Sequence, residues 1–222
     1  MKEKKSALIA GASGLIGNEL LHNLLDGTEY ERVTAIVRSP LNMQHPKLEE
    51  KIISFDNMDK YHHIFAVDDV FCCLGTTIKK AKTKDSMYKI DVNYPVQIAK
   101  LASNNGAKRF LIVSSMNANP ESSIWYAKMK GELEEKISMI PFESISIMRP
   151  SLLLGERKEF RFGEKAGELF FIIFPFLFIG PLKKYKAIQG RTVAAAMYKI
   201  AQMDKKGIAI YPSEQIEQVA GR

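Results

Sequence analysis

The sequence has few cysteines, and they are not spaced for a disulfide or a metal site. Its 222 residues contain only Cys72 and Cys73, which are adjacent. Neighbouring residues in an extended strand point to opposite faces, so a disulfide between them is not expected. Cysteine and histidine show no metal-ligand spacing, so no metal site is predicted. These absences exclude a disulfide-stapled miniprotein and a zinc module.

The chain also lacks an apolar run of membrane-spanning length. Its apolar segment Leu169–Ile179 has eleven residues and contains Pro175, whereas a spanning helix needs about 20. The amino-terminal residues lead straight into Ala7–Ala10, a four-residue apolar stretch that is too short for the apolar region of a signal peptide. With no disulfide expected, these features predict a cytoplasmic location.

Composition is that of one soluble globular domain. Hydrophobic residues make up 46% and charged residues 26% of the chain, and the length predicts a single domain over residues 1–222. The net charge of +7 suits nucleic acid, an anionic membrane or a phosphorylated small molecule. No nucleic-acid-binding motif accompanies the charge, so nucleic acid is not predicted as a partner.

Short apolar strands alternate with helical patterns over the first 150 residues. The predicted strands are Ala7–Ala10, Val33–Val37, Lys51–Phe55, Asp69–Leu74, Phe110–Ser114 and Ser144–Met148. The predicted helices are Leu15–Leu25, Asp85–Asn104, Ile124–Ile137 and, near the end, Thr192–Met203. This alternation predicts an α/β fold of the Rossmann type, a doubly wound parallel sheet whose ligand lies beyond the carboxyl ends of the strands.

A glycine-rich loop joins the first strand to the first helix. Gly11, Gly14 and Gly17 are spaced G-x-x-G-x-x-G, which allows a tight turn, close approach of a pyrophosphate and close packing of the helix. The helix amino terminus adds free N–H groups that attract phosphate. The loop therefore predicts dinucleotide binding by Gly11, Ser13, Gly14, Leu15, Ile16 and Gly17; the alternative is a glycine turn used only for packing.

The end of the second strand indicates which dinucleotide binds. A carboxylate about 20 residues past the loop would hold the ribose hydroxyls of NAD, but Arg38 and Ser39 stand there instead. A guanidinium pairs with a 2′-phosphate, so NADP(H) is predicted ahead of NAD(H). The alternative is that Arg38 is a solvated surface charge. Asp56, after the third strand, is a candidate acceptor for the adenine amino group, or else a turn cap.

The candidate catalytic residues follow the fifth strand. Tyr126 and Lys130 are four apart, so on a helix they share a face, where the ammonium favours the phenolate form needed for acid–base work. Ser115, at the strand end, is placed to polarise a substrate carbonyl, with Ser114 as the fallback. Asn93 is a further candidate, through a water to Lys130, or else a surface residue.

Several motifs occur in an order seen in one family. They are the glycine loop, Phe71–Thr77, Val113–Ser115, the Tyr126/Lys130 pair and Met148–Pro150. The chain resembles the Tat-interacting-protein-like branch of the atypical short-chain dehydrogenases/reductases over roughly residues 5 to 203. This resemblance implies a Rossmann fold, a Ser–Tyr–Lys site and NADP(H), with Leu74, Gly75 and Thr76 along the cofactor. It implies an oxidoreductase that transfers a hydride to or from a carbonyl or alcohol. Since some branch members are regulators, the alternative is a non-catalytic NADP(H)-binding regulatory or redox-sensing protein.

The segment after the sixth strand is irregular and is predicted to cover the substrate. This cover spans residues 151–188 and includes the apolar stretch followed by Lys183, Lys184 and Lys186. Residues 169–186 have three interpretations: a lid over an apolar small-molecule substrate, a peripheral contact with an anionic membrane, or core or a homodimer contact.

Overall fold

The computed structural model describes residues 4–154 and 186–221. Its strands are β1 Lys5–Ala10, β2 Tyr30–Val37, β3 Leu48–Ile52, β4 Asp69–Cys72, β5 Arg109–Val113, β6 Ser144–Arg149, β7 Leu153–Leu154, β8 Ile188–Gln189 and β9 Gly207–Pro212. Its α-helices are α1 Leu15–Asp26, α2 Ile78–Ala81, α3 Lys84–Tyr88, α4 Tyr94–Asn104, α5 Trp125–Ser138, α6 Gly190–Ile200 and α7 Ser213–Ala220. Phe55–Phe65 forms 3-10 turns, and Lys89–Asn93 forms a π turn.

Seven parallel strands form the central sheet. Their order is β3-β2-β1-β4-β5-β6-β9, and every neighbouring pair is parallel. The chain runs outward from β1 through β2 to β3 and then crosses to β4 on the other side of β1. In doubly wound sheets the ligand binds where the strand order reverses, which here is beyond the carboxyl ends of β1 and β4. The predicted Rossmann-type, doubly wound parallel sheet is confirmed.

Helices bury both faces of the sheet. On one face α1 and α6 pack together and α7 joins them, with Leu20, Leu24, Val193, Met197 and Ile216 in the core. On the other face α4, α5 and the 3-10 turns contribute Phe65, Ile98, Leu133 and Ile137. Because both faces are covered, the inner strands are apolar throughout most of their length; β4, for example, is buried at all four residues.

Two predicted elements have different bounds in the structure. Strand β3 occupies Leu48–Ile52 rather than Lys51–Phe55, because it is an edge strand with polar residues and its half-buried pattern is weak. The predicted helix Asp85–Asn104 is divided by the π turn. Pro95 has no N–H to donate to the carbonyl of Asp91, four residues earlier, and the chain widens at this point.

Two carboxyl-terminal elements are absent from the sequence prediction. Strand β9 adds a seventh strand beside β6, and α7 follows it. Strand β9 runs from Gly207 to Pro212. Its residues Ile208–Tyr211 form a short apolar run bounded by glycine and proline, a strand signal that the sequence prediction missed.

The predicted substrate cover falls mostly on residues 155–185, which lie outside the described residues, as does nearly all of the 169–186 segment. The described flanks β7 and β8 pair in parallel. The N–H of Ser151, between β6 and β7, donates to Ser213 Oγ at the start of α7, at 2.7 Å. Within the described part of the chain, no helix is both long and apolar enough to cross a membrane.

Candidate functional site

The glycine turn between β1 and α1 is closely packed. Gly11 has a φ of 87°, and a Cβ there would lie 2.6 Å from the carbonyl carbon of Cys73. A Cβ on Gly17 would lie 2.0 Å from the carbonyl oxygen of Gly11. Both positions therefore require glycine, because a side chain would push apart the turn, the helix and the end of β4.

The amino terminus of α1 is open to an anion. Gly14 is the residue before the helix and has no side chain that could accept from its N–H groups. The N–H groups of the first turn of α1 therefore remain available. Ser13 and Gly14 are exposed and Leu15 is partly buried. The side chain of Ile16 is buried in the core, so any role of Ile16 in binding comes from its backbone.

A cleft of about 550 Å³ opens at the carboxyl ends of β2 and β3. Its lining residues are Arg38, Ile52, Ile53, Ser54, Phe55, Asp56, Ser86, Lys89, Ile90 and Tyr94. The structure thus places Arg38 and Asp56 in one cleft, while Ser39, the residue after Arg38, is exposed.

Asp56 already has two partners in this cleft. Its Oδ1 atom lies 2.6 Å from Lys89 Nζ and accepts a hydrogen bond from the Tyr94 hydroxyl at 2.8 Å. These hydrogen bonds, first that of Lys89, hold the pKa of Asp56 below its usual value. Lys89 is thus a second cation of the cleft, and sequence reasoning missed it. No local signal marks it, because Lys89 meets Asp56 only where the π turn packs on the 3-10 turns.

Lys130 and Asp91 form a buried ion pair at the carboxyl edge of the sheet. Lys130 Nζ lies 2.8 Å from Asp91 Oδ1, and the two side chains are 4% and 1% exposed. Burial is the largest single effect on Lys130 and would by itself lower its pKa, but the combined attractions of Asp91, Tyr126 and Cys72, of which that of Asp91 is the largest, outweigh it, and the pKa is raised. The ammonium therefore persists at neutral pH. Asn93, the partner considered from the sequence, is exposed.

Tyr126 stands at the first turn of α5, one turn before Lys130. Tyr126 is 40% exposed, so the residue is accessible from solvent. The buried lysine and the exposed tyrosine share one face of the helix, as the four-residue spacing predicts.

The two serines at the end of β5 have different surroundings. The Ser114 hydroxyl is buried and donates to Glu134 Oε1 at 2.5 Å. Glu134 in turn accepts from Arg149 Nε at 3.0 Å and from Arg149 Nη2 at 2.5 Å. Ser114 is thus part of a link between β5, α5 and β6, whereas Ser115 is only partly buried. This difference favours Ser115 over Ser114 as the residue that meets a substrate.

The loop after β4 passes the glycine turn. The N–H of Cys73 donates to the carbonyl of Ala10 at 2.8 Å, so the ends of β4 and β1 are held side by side. Leu74 packs against the core, Gly75 is exposed, and the N–H of Thr76 donates to Asp91 Oδ2 at 2.8 Å. Burial raises the pKa of the Cys72 thiol to about 12, so Cys72 is not a nucleophile at neutral pH.

The open helix terminus, the glycine turn and the reversal of strand order define a dinucleotide-binding Rossmann protein. The sequence pattern of the NAD dependent epimerase/dehydratase family matches residues 7–215, and the chain belongs to this family. It is 37% identical over 173 residues to Protein HTATIP2 of Rattus norvegicus, covering 76% of this chain and 71% of the relative. The predicted relation to the Tat-interacting-protein-like branch is confirmed.

Solved structures with the same fold include sugar-nucleotide enzymes. MoeE5 in complex with UDP-glucuronic acid and NAD superposes with a TM-score of 0.71 at 16% identity, over 93% of this chain and 75% of that one. The UDP-N-acetylglucosamine 4-epimerase from Methanobrevibacter ruminantium M1 has a TM-score of 0.69 at 17% identity, over 95% and 77% of the two chains. At this identity the likeness shows the fold alone.

The comparisons correct the predicted location. Protein FMP52, mitochondrial, of Saccharomyces cerevisiae is 34% identical over 156 residues, covering 68% of this chain and 67% of the relative, and other fungal relatives carry the same name. The prediction of a cytoplasmic location is therefore wrong. Unpaired cysteines argue only against an oxidising compartment and do not distinguish one reducing compartment from another.

Proposed function

We propose that the protein is an NADP(H)-dependent oxidoreductase that transfers a hydride to or from a carbonyl or alcohol carbon of a small molecule. The observation that carries this proposal is the pairing of an exposed Tyr126 with a buried, charged Lys130 at the sheet edge that also holds the glycine turn. Partly buried Ser115 ends the neighbouring strand. The residues present fit the cofactor, because Gly11 and Gly17 keep the turn tight and α1 offers uncapped N–H groups.

Each residue has a distinct role in this proposal. The bound nicotinamide supplies or accepts the hydride. In the reducing direction Tyr126 transfers its proton to the substrate oxygen, while Ser115 donates a hydrogen bond to that oxygen. The ammonium of Lys130 stabilises the phenolate left on Tyr126 and donates to the nicotinamide ribose. The new alcohol then leaves, and Tyr126 regains a proton from solvent, to which it is exposed.

Replacing the tyrosine tests the chemistry. Tyr126→Phe should lower NADPH oxidation with a panel of aldehydes, ketones and quinones by about 10²- to 10⁴-fold, while NADPH affinity stays close to wild type. Tyr61→Phe is the matched control, because Tyr61 is 37% exposed and lies on the 3-10 turns rather than α5. Unchanged turnover in Tyr126→Phe contradicts the mechanism. NADPH binding with no turnover on any substrate favours the non-catalytic regulatory or redox-sensing alternative.

Positive charge in the cleft supports the proposed preference for NADP(H). Arg38 lines it at the end of β2 and Lys89 lines it from the π turn, and cations suit a 2′-phosphate. Arg38→Ala should weaken NADPH binding by about tenfold or more and NADH binding far less, since a hydrogen bond between charged groups contributes about 1.5–3 kcal/mol. Arg32→Ala is the control, because Arg32 is an exposed arginine near the other end of β2. Tighter binding of NADH than NADPH by the wild-type protein contradicts the assignment.

A further inference from the structure

We infer that Asp91 is a positioning residue, which holds the Lys130 ammonium and the Gly75–Thr76 backbone in one fixed arrangement beside the cofactor. This inference rests on the proposed function, because that function places Lys130 and this loop along the cofactor. Asp91 itself touches neither cofactor nor substrate in the proposal. Its effect passes through the two groups that it binds.

The two oxygens of the carboxylate have separate partners. Oδ1 lies 2.8 Å from Lys130 Nζ on α5, and Oδ2 accepts the N–H of Thr76 at 2.8 Å. A Cβ built on Gly75 would lie 3.7 Å from Oδ1, so the loop passes close to the carboxylate. One side chain thus joins the π turn, α5 and the loop after β4, three elements that are separate in sequence.

The backbone at this point explains why an acidic residue faces inward. Pro95 cannot donate to the carbonyl of Asp91, and the π turn Lys89–Asn93 takes up the extra residue. Such turns are frequent at functional sites. Asp91 is only 1% exposed, and a buried carboxylate is costly unless it is paired.

Asp91 also keeps Lys130 charged. The titratable groups that act on Lys130 are Asp91 from the π turn, Tyr126 from its own helix and Cys72 from β4. At neutral pH Cys72 is a neutral thiol, and the attraction of Asp91 is the largest of the three. Without it, burial would dominate and lower the pKa of Lys130. The proposed ribose contact of Lys130 would then depend on pH.

The test is the pH dependence of cofactor affinity in Asp91→Asn. NADPH affinity is measured by fluorescence titration at about pH 6, 7.5 and 9. For the wild-type protein it should vary by less than about threefold between about pH 7.5 and 9. Asp91→Asn should bind less tightly, with a deficit that grows with pH to about tenfold at about pH 9, as Lys130 loses its proton. Asp91→Asn with wild-type affinity at every pH overturns the inference.

The control is Asp69→Asn, the same substitution at another fully buried aspartate. Asp69 begins β4, at the amino ends of the strands and away from the proposed cofactor site. Its loss should therefore lower stability without giving NADPH affinity a new pH dependence. If both variants show the same pH-dependent deficit, the effect is general loosening and the inference fails.

A double variant keeps the test valid if Asp91→Asn folds poorly. Asp91→Asn leaves an unpaired buried amine, whereas Asp91→Asn combined with Lys130→Met leaves neither charge. The double variant should be at least as stable to urea as Asp91→Asn, and its NADPH affinity should not change between neutral and alkaline pH. Lys130→Met alone completes the comparison. If the stability lost by the double variant equals the sum of the losses in Asp91→Asn and Lys130→Met, the two residues are not coupled and the inference is overturned.

These measurements do not depend on turnover. If no carbonyl compound is reduced but the affinity pattern holds, the oxidoreductase proposal fails and the role of Asp91 in placing Lys130 stands. If turnover is found and Asp91→Asn binds NADPH like wild type at every pH, the oxidoreductase proposal stands and the inference about Asp91 fails.

Discussion

Two buried aspartates lie at opposite ends of the strands of the same sheet, and both are paired with a lysine. Asp69 begins β4 at the amino edge. Its Oδ2 atom lies 3.1 Å from Lys5 Nζ and accepts the Tyr30 hydroxyl at 2.7 Å, and its Oδ1 atom lies 3.4 Å from Arg109 Nη1. Asp91 lies at the carboxyl edge and holds Lys130 and the N–H of Thr76.

The difference lies in what the partners do. Lys5, Tyr30 and Arg109 belong to β1, β2 and β5, which the sheet already joins, so Asp69 strengthens an existing arrangement. The partners of Asp91 are a candidate site residue and a loop outside the sheet. The same carboxylate chemistry therefore stabilises the sheet at one edge and, in our proposal, orients a site at the other. The direction of the strands decides which, because ligands bind at the carboxyl ends.

Removing Asp69 should give the largest effect on stability. Asp69→Ala leaves Lys5 and Arg109 without their shared carboxylate, and breaking a buried pair costs about 3–5 kcal/mol. Both cations are partly exposed, so we expect about 3 kcal/mol, the lower end of that range. Urea unfolding measures the loss, and NADPH titration should show unchanged affinity. A selective loss of NADPH affinity would show that the two edges are not independent.

Replacing the adjacent Ser114 and Ser115 should give the next largest effects. One serine is expected to affect mainly stability and the other mainly the reaction rate, although both lie at the end of β5. Ser115→Ala should lower NADPH oxidation by about 10²-fold, as expected for one lost oxyanion donor, with little change in stability. Ser114→Ala should instead cost about 1–2 kcal/mol of stability, because the buried Glu134 loses a hydrogen bond. Initial rates and urea unfolding on both variants check this. The reverse result would make Ser114 the candidate polariser.

How far sequence reasoning reaches can be seen in the same elements. The strands β1, β4, β5 and β6 are short apolar runs bounded by glycine or polar residues, and this local pattern is enough to predict the parallel sheet. Strand β9 carries a comparable signal, the apolar run Ile208–Tyr211 between Gly207 and Pro212, so its absence from the prediction does not reflect a weaker local pattern. The Tyr126/Lys130 pair is predictable because both residues lie on one helix and four-residue spacing places them on one face.

The partner of Lys130 is not predictable in the same way. Asp91 is far from it in sequence, and its inward orientation depends on a π turn at Pro95. Likewise, the sequence places Ser114 and Ser115 together at a strand end, but which of them turns toward Glu134 depends on the packing of α5. The local sequence gives no clear signal, because Asp91 stands among alternating polar and apolar residues, Lys89 to Asn93.

A smaller effect should appear at alkaline pH in Tyr30→Phe. Burial, and then Asp69, raise the pKa of Tyr30 far above its usual value, so the folded protein keeps this proton after the unfolded chain begins to lose it near about pH 10. Tyr30 therefore contributes stability below about pH 10 that is progressively lost as pH rises further. The deficit of Tyr30→Phe should be about 1.5 kcal/mol at neutral pH, for a hydrogen bond to a charged group, and should shrink between about pH 9 and 11. Urea unfolding across that range measures it, and a constant deficit would contradict the raised pKa.

The smallest effect on stability should come from a third aspartate with a lysine and a tyrosine as partners. Asp56 pairs with Lys89 and Tyr94 much as Asp69 pairs with Lys5 and Tyr30, but its side chain is exposed. Solvent screens such a pair, so Asp56→Ala should leave the urea midpoint unchanged. Because Asp56 lines the cleft with Arg38, Asp56→Ala should instead weaken NADPH binding by about threefold, the size of one modest hydrogen bond. If Asp56→Ala destabilised the protein as much as Asp69→Ala, burial would not be what gives the buried aspartates their strength.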